Sequence, residues 1–476
     1  MKHNQGSRIS CTKMASSRKI TIYANKPACA SSARLEERRR AAAAARSEKD
    51  RKPENKPDDF IRYEDSEEED EEYSMHAVKY SKSFVDYLNI RERNGIYNAI
   101  ERLRVSCEHG TRHMLTHEMF KEHNIKLGNM NKVFCSQWLS DRQVVFGTKC
   151  NKIMVYDVVT QKLDQIPSLV GRREQGPADG QCGIHAAQIN PSRSLLATGA
   201  RNSSEVAVYR LPTMDPVCLG EVGENGAHGD WVFDMCWLDD QFLVSGSRDT
   251  RIALWRIRDE LPVKEAEATD VPNYKTIVPV SVKDCKSAQK VRAITYNKAF
   301  EEVAALSLNG FIHIWNAHNF KQKLSRKLPS CQENVCLAVQ DTGMYAVGCR
   351  SYTLLLDPRT LQPIKKVPSR YSGCGIRSAS FLGDILTIGT GVGVLMFYDL
   401  KAGKYMESSL NQTRTVALKA SKGWVYPDEE FMDVIQHIKY TPAIYTHCYD
   451  PSGTRLFTAG GPLPANLYGN YAGLWQ

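Results

Sequence analysis

The sequence predicts an all-β fold, a seven-bladed β-propeller, from two observations. Short apolar runs recur from Lys132 to Trp475, each unit reading as a strand, a turn, a second strand that closes on glycine, and a third strand that ends in an aromatic residue or aspartate. There are seven such units, at spacings of roughly 40–75 residues, and a repeat length of this order is typical of propellers.

The boundaries of the units mark the blades. The glycines that close second strands are Gly147, Gly199, Gly246, Gly348, Gly389 and Gly460. The third strands end at Asp157, Tyr209, Trp255, Trp315, Asp357, Asp399 and Trp475. Because the seventh unit has no outer strand after Trp475, we expect the segment around Asn124–Leu127 to supply it and close the ring.

The N-terminal part differs in composition from the repeats. Residues 1–56 carry 15 Lys and Arg against five acidic residues, and residues 57–72 carry ten acidic residues against one Arg. Such charge blocks repel themselves and lack apolar residues, so residues 1–77 are predicted to be a disordered, basic-then-acidic tail. The basic cluster at 38–40 fits a nuclear-import signal and a solvated tail equally well, and we expect the protein in cytoplasm and nucleus.

Residues 78–123 predict a helical segment ahead of the propeller at 124–476. Apolar residues at helical spacing, among them Phe84, Leu88 and Ile96, indicate two short amphipathic helices with a breaker at Gly95. These helices either pack on their own domain or dock on a partner, and the residues alone do not decide between the two. Insertions at 258–290 and 402–443 depart from the repeat, and either recognise partners or are padding.

Basic residues recur at equivalent positions of the blades. Two residues past a closing glycine lie Lys149, Arg201, Arg248 and Arg350. In the aligned first strands, His185, Arg292 and Arg377 share one position, and Lys132 and Lys290 share another two residues earlier. Both sets are predicted to project to one face, around the mouth of the central channel. Convergence of like charges favours an acidic ligand: a carboxylate-rich peptide, a phosphopeptide or a nucleic-acid backbone.

Catalytic chemistry finds little support in the sequence. It contains no Walker loop, HExxH or GxSxG motif, and the adjacent His447 and Cys448 of one strand face opposite ways. The 14 cysteines include no CxxC pair, so reduced cysteines are expected rather than a zinc site. We therefore predict no catalytic residues, no metal, no cofactor and no enzyme activity. No run approaches the length of about 18 apolar residues that a membrane span requires, so no membrane partner is expected either.

Several segments resemble a known family. In the third unit, His228, Ser245, Asp249 and Trp255 are similar to the buried hydrogen-bonded tetrad of WD-repeat blades. The segments Gly183-Ile184-His185 and Tyr445-Thr446-His447-Cys448-Tyr449-Asp450 carry a likeness to this family. Its most specific part is the ending, Gly460-Gly461-Pro462-Leu463-Pro464 with Gly469-Asn470-Tyr471-Ala472-Gly473-Leu474-Trp475. From about residue 81 onward the chain resembles the WD-repeat substrate receptors of cullin-4 RING ubiquitin ligases, factor-12 type.

The resemblance implies an assembly for the helical segment. Such receptors dock on the damaged-DNA-binding adaptor protein that carries cullin-4, and here Phe84, Leu88 and Ile96 would take part. The family also has a WDxR-like signature at the end of a third strand, of which Asp357 and Arg359 keep the Asp and Arg while Leu356 replaces the Trp. A second such position, Tyr398-Asp399-Leu400-Lys401, ends in Lys in place of Arg, and the resemblance leaves adaptor docking open at either position.

The resemblance also implies a ligand. Factor-12 type receptors are associated with substrates whose chain ends in two glutamates, that is, with acidic C-termini. Their pocket residues carry over to six basic positions of this chain: Lys132, Lys149, Arg248, Lys290, Arg292 and Arg377. The expected function is therefore a non-catalytic receptor that binds acidic C-terminal degrons in a basic pocket on one propeller face.

Two other functions compete with this reading. A nucleic-acid- or chromatin-binding propeller would use the same surface, since residues 76–476 carry 47 Lys and Arg against 39 acidic residues. Aromatic residues among the basic turns would have favoured base stacking, and those turns contain none, so no nucleic-acid partner is expected. A plain scaffold, in which the insertions matter more than the mouth, is the third possibility.

Overall fold

The structure is a computed structural model that describes residues 60–62, 99–169, 183–220, 227–258, 274–329, 333–371, 375–425, 441–464 and 467–476. These residues lie in one compact unit, Asp59–Gln476. Seven separate sheets, each built on an antiparallel core of consecutive strands, form the seven blades of a β-propeller. The fold class predicted from the sequence is confirmed.

The strands of each blade run outward from the channel in chain order. The innermost strands are Val133–Trp138, Ala187–Ile189, Val232–Trp237, Val291–Asn297, Cys336–Val339, Ile376–Leu382 and Ala443–Tyr449. The second strands are Gln143–Thr148, Leu195–Gly199, Phe242–Ser247, Glu302–Ser307, Tyr345–Gly348, Ile385–Thr390 and Leu456–Gly461. The third strands are Ile153–Asp157, Val206–Arg210, Arg251–Arg256, Phe311–Asn316, Tyr352–Leu356, Val394–Asp399 and Gly469–Trp475.

The closing glycines of the second strands have a packing reason. A Cβ at Gly147 would lie 2.5 Å from Cγ2 of Ile184, and one at Gly246 would lie 2.4 Å from Cδ1 of Ile294. In both cases the apolar residue belongs to the next blade, which packs directly on the glycine backbone. At these two positions a larger side chain would force neighbouring blades apart, so the glycine is a sequence signal of blade-to-blade contact.

The predicted tetrad is present in the third blade. Nε2 of His228 lies 2.7 Å from Oγ of Ser245, which also accepts a 2.8 Å hydrogen bond from Nε1 of Trp255. Nδ1 of His228 lies 3.5 Å from Oδ2 of Asp249. His228, Ser245 and Trp255 are completely buried, so the two hydrogen bonds to Oγ of Ser245 satisfy polar atoms that water cannot reach.

The outer strands of the blades come from the segment after the third strand, from the segment before blade 1, or from the two insertions. Blades 1, 2, 4 and 5 continue into Leu163–Ile166, Asp215–Gly220, Gln322–Lys327 and Pro363–Pro368. Blade 7 takes Glu122–Asn124, which pairs with Gly469–Trp475 and closes the ring. The strand starts two residues earlier than the predicted donor segment, whose Ile125 continues the contact through a 2.9 Å hydrogen bond from its N–H to the carbonyl of Ala472.

Both insertions contribute strands to blades. The 258–290 insertion includes Ser281–Asp284, the outer strand of blade 3, and Lys275–Ile277, which adds in parallel to blade 2. The 402–443 insertion includes three short strands, Lys404–Tyr405 and Ala417–Lys419 on blade 6 and Trp424–Val425 on blade 7. These segments are therefore not padding, since they cover sheet edges that would otherwise be open.

One strand lies within the segment predicted as a disordered tail. Residues Phe60–Arg62 pair antiparallel with the outer strand of blade 4, with Phe60 opposite Arg326 and Arg62 opposite Leu324. Phe60 and Ile61 are the apolar pair in an otherwise acidic segment, and short apolar segments readily add to a free sheet edge. The prediction missed this pairing because its partner strand lies far along the chain.

The helical segment contains a single described helix, Ala99–Thr116, longer than the short helix predicted there. It lies across turns that join first to second strands: Arg104 pairs with Asp341 at 3.2 Å, and Oγ1 of Thr111 donates to the carbonyl of Gly453 at 2.5 Å. Arg112 forms ion pairs with Glu108 and with Asp399 at the end of a third strand. Among the described residues, no helix combines the length and apolarity needed to cross a membrane.

Candidate functional site

The central channel contains a cavity of about 310 Å³ that residues of all seven innermost strands line. In five of these strands the pairing register shifts near the start, which is the mark of a β-bulge. Bulges turn side chains away from their regular direction. The residues at the bulges are Phe134, Phe233, Arg292, Arg377 and Tyr445, and His185 and Val335 take the corresponding places in blades 2 and 5.

These seven residues, which we call the mouth ring, divide into two arcs. The aromatic arc comprises Phe134, His185, Phe233 and Tyr445: the Phe134 and His185 rings stack with centroids 4.4 Å apart, and Tyr445 meets Phe134 edge-on at 5.6 Å. The cationic arc comprises Arg292, Val335 and Arg377. A ligand in the mouth thus meets apolar rings on one side and guanidinium groups on the other.

Arg292 lies where the two arcs meet. Its guanidinium carbon is 4.0 Å from the centroid of the Phe233 ring, which fixes the group by a cation–π contact. Burial, together with the neighbouring charge of Arg377, lowers the pKa of Arg292 to about 10, which leaves it charged at neutral pH. Its Nε is buried and forms no hydrogen bond within the described part of the chain.

Asp234 is the carboxylate beside Arg292 in the channel. Its two oxygens accept hydrogen bonds of 2.9 Å from the N–H groups of Met235 and Ile294. Burial raises the pKa of Asp234 to about 7, an effect that these hydrogen bonds and the nearby Arg292 oppose. Asp234 therefore compensates only part of the positive charge, and the backbone holds it in place.

Arg377 faces the channel from blade 6 and is largely buried, with 19% of its side chain exposed. Its Nη2 lies 3.5 Å from Oε2 of Glu333, whose other oxygen lies 3.9 Å from Nε of Arg350. Like that of Arg292, the Nε of Arg377 is buried and has no hydrogen-bond acceptor among the residues that the structure describes. Two buried donors thus remain available in the cationic arc.

Lys132 and Lys149 form a second cationic pair, beside the mouth ring. Lys132 is only 3% exposed, and its Nζ donates a 2.5 Å hydrogen bond to the carbonyl of Pro464. Burial and the charge of Lys149 lower the pKa of Lys132 to about 8. The hydroxyl of Tyr445 lies 3.4 Å from the carbonyl of Pro462, so the loop 462–464 joins this pair to the ring.

Arg248 and Lys290, like Lys132 and Lys149, lie outside the cavity lining. Arg248 stacks over Trp231 at 5.0 Å and lies 3.4 Å from Asp230, while Trp231 continues the aromatic arc through His185 at 6.1 Å. Lys290 directly precedes the innermost strand of blade 4, and its carbonyl accepts a hydrogen bond from the N–H of Leu308. Of the six residues, the cavity lining brings together Arg292 and Arg377.

The predicted adaptor-docking residues are only partly described. Phe84, Leu88 and Ile96 lie outside the described residues. Asp357 caps its turn, accepting hydrogen bonds of 2.9 and 2.6 Å from the N–H and hydroxyl of Thr360. Arg359 is exposed, with its guanidinium carbon 6.0 Å from the Phe300 centroid. These positions give Asp357 a local structural role and leave Arg359 accessible.

Sequence reasoning missed the aromatic arc and the acidic neighbours of the arginines. The basic turns contain no aromatic residues, but the innermost strands place Phe134, Phe233 and Tyr445 in the channel lining. Aligning the bulge positions of the seven units would have revealed this arc. Nothing in the local sequence signals that Glu333 pairs with Arg377.

His447 lies in the channel below the mouth ring. His447 accepts and donates hydrogen bonds with the hydroxyls of Ser378 and Ser380, at 2.8 and 2.7 Å. Burial lowers the pKa of His447 to about 4, so it is neutral and structurally engaged at pH 7. Among the described residues, no group of His, Cys, Asp or Glu could hold a metal ion.

Comparisons with known proteins agree with this architecture. A crystal structure of the RRP9 WD40 repeats superposes with a TM-score of 0.53 at 13% identity, covering 74% of this chain and 96% of that one, which bears on the fold alone. Residues 116–476 match the family model "DDB1- and CUL4-associated factor 12 beta propeller". Because the match spans well over half of the sequence, the chain belongs to the DDB1- and CUL4-associated factor 12 beta-propeller family.

Proposed function

We propose that this protein is the substrate receptor of a cullin-4 RING ubiquitin ligase and binds acidic C-termini, such as a terminal pair of glutamates, at the mouth ring. It acts in cytoplasm and nucleus by presenting substrates and has no catalytic step of its own. Family membership supports the ligase association, with DDB1 as the adaptor and cullin-4 as the scaffold. The chemistry of the cationic arc supports the choice of ligand.

The observation that carries the ligand proposal is the pair of buried Nε donors on Arg292 and Arg377. Buried donors without acceptors cost about 1–3 kcal/mol each, and the two like charges also repel each other. A carboxylate placed between them would accept hydrogen bonds from both guanidinium groups and remove the repulsion. A chain that ends in two glutamates offers three carboxylates within two residues, and we propose that the second cationic pair, Lys132 and Lys149 of blade 1, attracts those that the arginines do not bind.

The opposite face is suited to the adaptor. The helix Ala99–Thr116 lies on the turns between first and second strands, at the other end of the channel from the mouth ring. Around it, Leu103, Met119 and Leu410 are 58%, 48% and 71% exposed. Exposed apolar side chains around a helix are typical of a protein-binding surface. Adaptor and substrate would then bind at separate faces without competing.

The aromatic arc also favours an alternative, the binding of single-stranded nucleic acid. Bases could stack on Phe134, His185 or Trp231 while the arginines contact phosphates. Such binding depends on the backbone charge and not on a chain terminus, so its affinity falls steeply with salt and does not require a free carboxylate. This difference separates the two functions experimentally.

The test measures binding of a fluorescent peptide ending in two glutamates to the full chain, at two salt concentrations. The matched control is the same peptide with an amidated C-terminus. Tight binding that is lost on amidation supports a terminal-carboxylate pocket. Equal binding of both peptides, or stronger binding of an oligonucleotide, contradicts the proposal and favours the alternative.

Affinity for the acidic peptide should decrease as the pH rises from 7 to 9. Lys132 loses its proton around its pKa of about 8, and neutral Lys132 no longer attracts a carboxylate, whereas Arg292 stays largely charged. We expect at most roughly a tenfold loss, because with a pKa of about 8 the charged fraction of Lys132 falls about tenfold between pH 7 and 9. Fluorescence titration at several pH values measures the effect, and Lys132→Met should bind more weakly at pH 7 and show a flatter profile.

The same group predicts an opposite trend in stability. The pKa of Lys132 in the folded protein lies below its ordinary value of 10.5, so keeping Lys132 charged lowers the free energy of unfolding. Below pH 8 this cost is present in full. That cost disappears as the pH rises from about 8 to 10.5. Binding and stability should therefore change in opposite directions above pH 8. Parallel loss of both would mean that the weaker binding reflects unfolding.

A further inference from the structure

The cationic arc already contacts a carboxylate of this chain. Glu333 precedes the innermost strand of blade 5, and its two oxygens lie 3.5 Å from Nη2 of Arg377 and 3.9 Å from Nε of Arg350. Its side chain is 47% exposed, so the carboxylate is at the entrance and not in the channel. Glu333 thus occupies a position at Arg377 that the carboxylate of an acidic ligand would also need.

Glu333 differs from the other acidic residues near the mouth in how it is held. Asp234 is fixed by two backbone N–H groups, and Asp230 accepts a 2.8 Å hydrogen bond from the N–H of Trp231 in addition to its contact with Arg248. The contacts that the structure gives for the Glu333 carboxylate are ion pairs at 3.5 and 3.9 Å, both longer than a good charge-assisted hydrogen bond. Such a carboxylate can exchange for another one.

We propose that Glu333 is an internal counter-ion, which the carboxylate of an acidic ligand displaces from Arg377. This inference rests on the proposed function and adds to it a residue that sets the affinity. In the free protein Glu333 offsets part of the repulsion between Arg377 and its neighbours Arg292 and Arg350. On binding, the carboxylate of the ligand neutralises Arg377 in place of Glu333. The free energy of the lost Glu333 contacts reduces the free energy of binding, so the affinity is lower than it would be without Glu333.

The exchange explains why a ligand would need more than one acidic group. A single carboxylate gains less at Arg377 than it would without Glu333, because it must displace one ion pair before it forms its own. A ligand with further carboxylates also reaches the buried donor of Arg292, which Glu333 does not contact in the structure as described. The internal counter-ion therefore favours ligands with several carboxylates over ligands with one.

The test compares full-length wild type with Glu333→Gln and Glu301→Gln, using the fluorescent di-glutamate peptide at low and physiological salt. Glu301 is a matched control, because it is also half-exposed and paired, here with His318 at 2.5 Å, and lies in a turn between the first and second strands of blade 4. Both variants change the net charge equally. We expect Glu333→Gln to bind about three- to fivefold more tightly, as expected for losing one partly exposed ion pair, and Glu301→Gln to match wild type.

The outcomes separate this inference from the function on which it rests. If neither wild type nor Glu333→Gln binds the peptide, the proposed function itself is wrong. If wild type binds and Glu333→Gln binds equally or more weakly, the proposal that Glu333 is a displaceable counter-ion is wrong. Weaker binding would show instead that Glu333 holds Arg377 in place. Equal tightening by both variants would overturn it as well, since bulk charge would then account for the effect.

Discussion

Replacement of Arg377 by alanine should weaken binding of the acidic peptide by at least about 30-fold, as should Arg292→Glu. Both side chains line the channel cavity, and each has a buried Nε donor that the ligand is proposed to satisfy. Truncating one side of a buried, hydrogen-bonded charge pair typically costs about 2–5 kcal/mol, which corresponds to this range of affinity. Fluorescence anisotropy with the di-glutamate peptide measures the loss.

Two controls make this result specific. Arg142→Ala removes an exposed arginine that pairs with Asp157 at 2.8 Å, in the turn between the first and second strands of blade 1, and should leave peptide affinity unchanged. Adaptor binding should be the same for Arg377→Ala and wild type, because the helix Ala99–Thr116 lies at the other end of the channel. An Arg377→Ala variant that folds and still binds the peptide with wild-type affinity would refute the placement of the pocket.

The second large effect concerns stability. Trp475→Ala should lower the free energy of unfolding by about 3–5 kcal/mol, the usual cost of truncating a buried large aromatic residue. Trp475 is 5% exposed and packs with Leu115 of the helix, with Phe120 and with Tyr471. It also pairs with Glu122 in the strand that closes the ring. The substitution therefore loosens the helix and the closure together.

Chemical denaturation followed by tryptophan fluorescence or circular dichroism measures this loss. Trp475→Phe keeps most of the ring volume and gives up the 2.9 Å hydrogen bond from Nε1 to Oγ1 of Thr458, so it should cost only about 1–2 kcal/mol. Equal losses for both substitutions would show that the hydrogen bond, and not packing, stabilises the closure. A negligible loss for Trp475→Ala would contradict the assignment of this strand to the closing blade.

The architecture was predictable because its signals are local. A glycine recurs near the end of six of the seven second strands, and at Gly147 and Gly246 the next blade packs directly on it. The short strand Phe60–Arg62 escaped prediction because its hydrogen bonds go to residues 324–326. The outer strand Ser281–Asp284 was hidden for a related reason, since a long insertion precedes it and breaks the spacing of the repeat.

The positive charges of the site were predictable from the sequence, whereas its aromatic arc and its acidic residues were not. His185, Arg292 and Arg377 share one position of the repeat, so an alignment of the units identifies them together. The direction of their side chains depends on β-bulges, which the sequence does not signal. The contact between Glu333 and Arg377 joins two different blades, and only the assembled ring brings such groups together.

Ring closure has a consequence for biosynthesis. Glu122 accepts a 2.6 Å hydrogen bond from the hydroxyl of Tyr471, although the two residues are 349 positions apart. A ribosome that adds roughly 5–20 residues per second would need on the order of 20–70 s to make the intervening chain. During that interval the closing strand has emerged but has no partner, and its open edge can pair with other chains. We expect nascent chains stalled before Gly469 to remain bound to chaperones, and release from them to coincide with synthesis of the final strand.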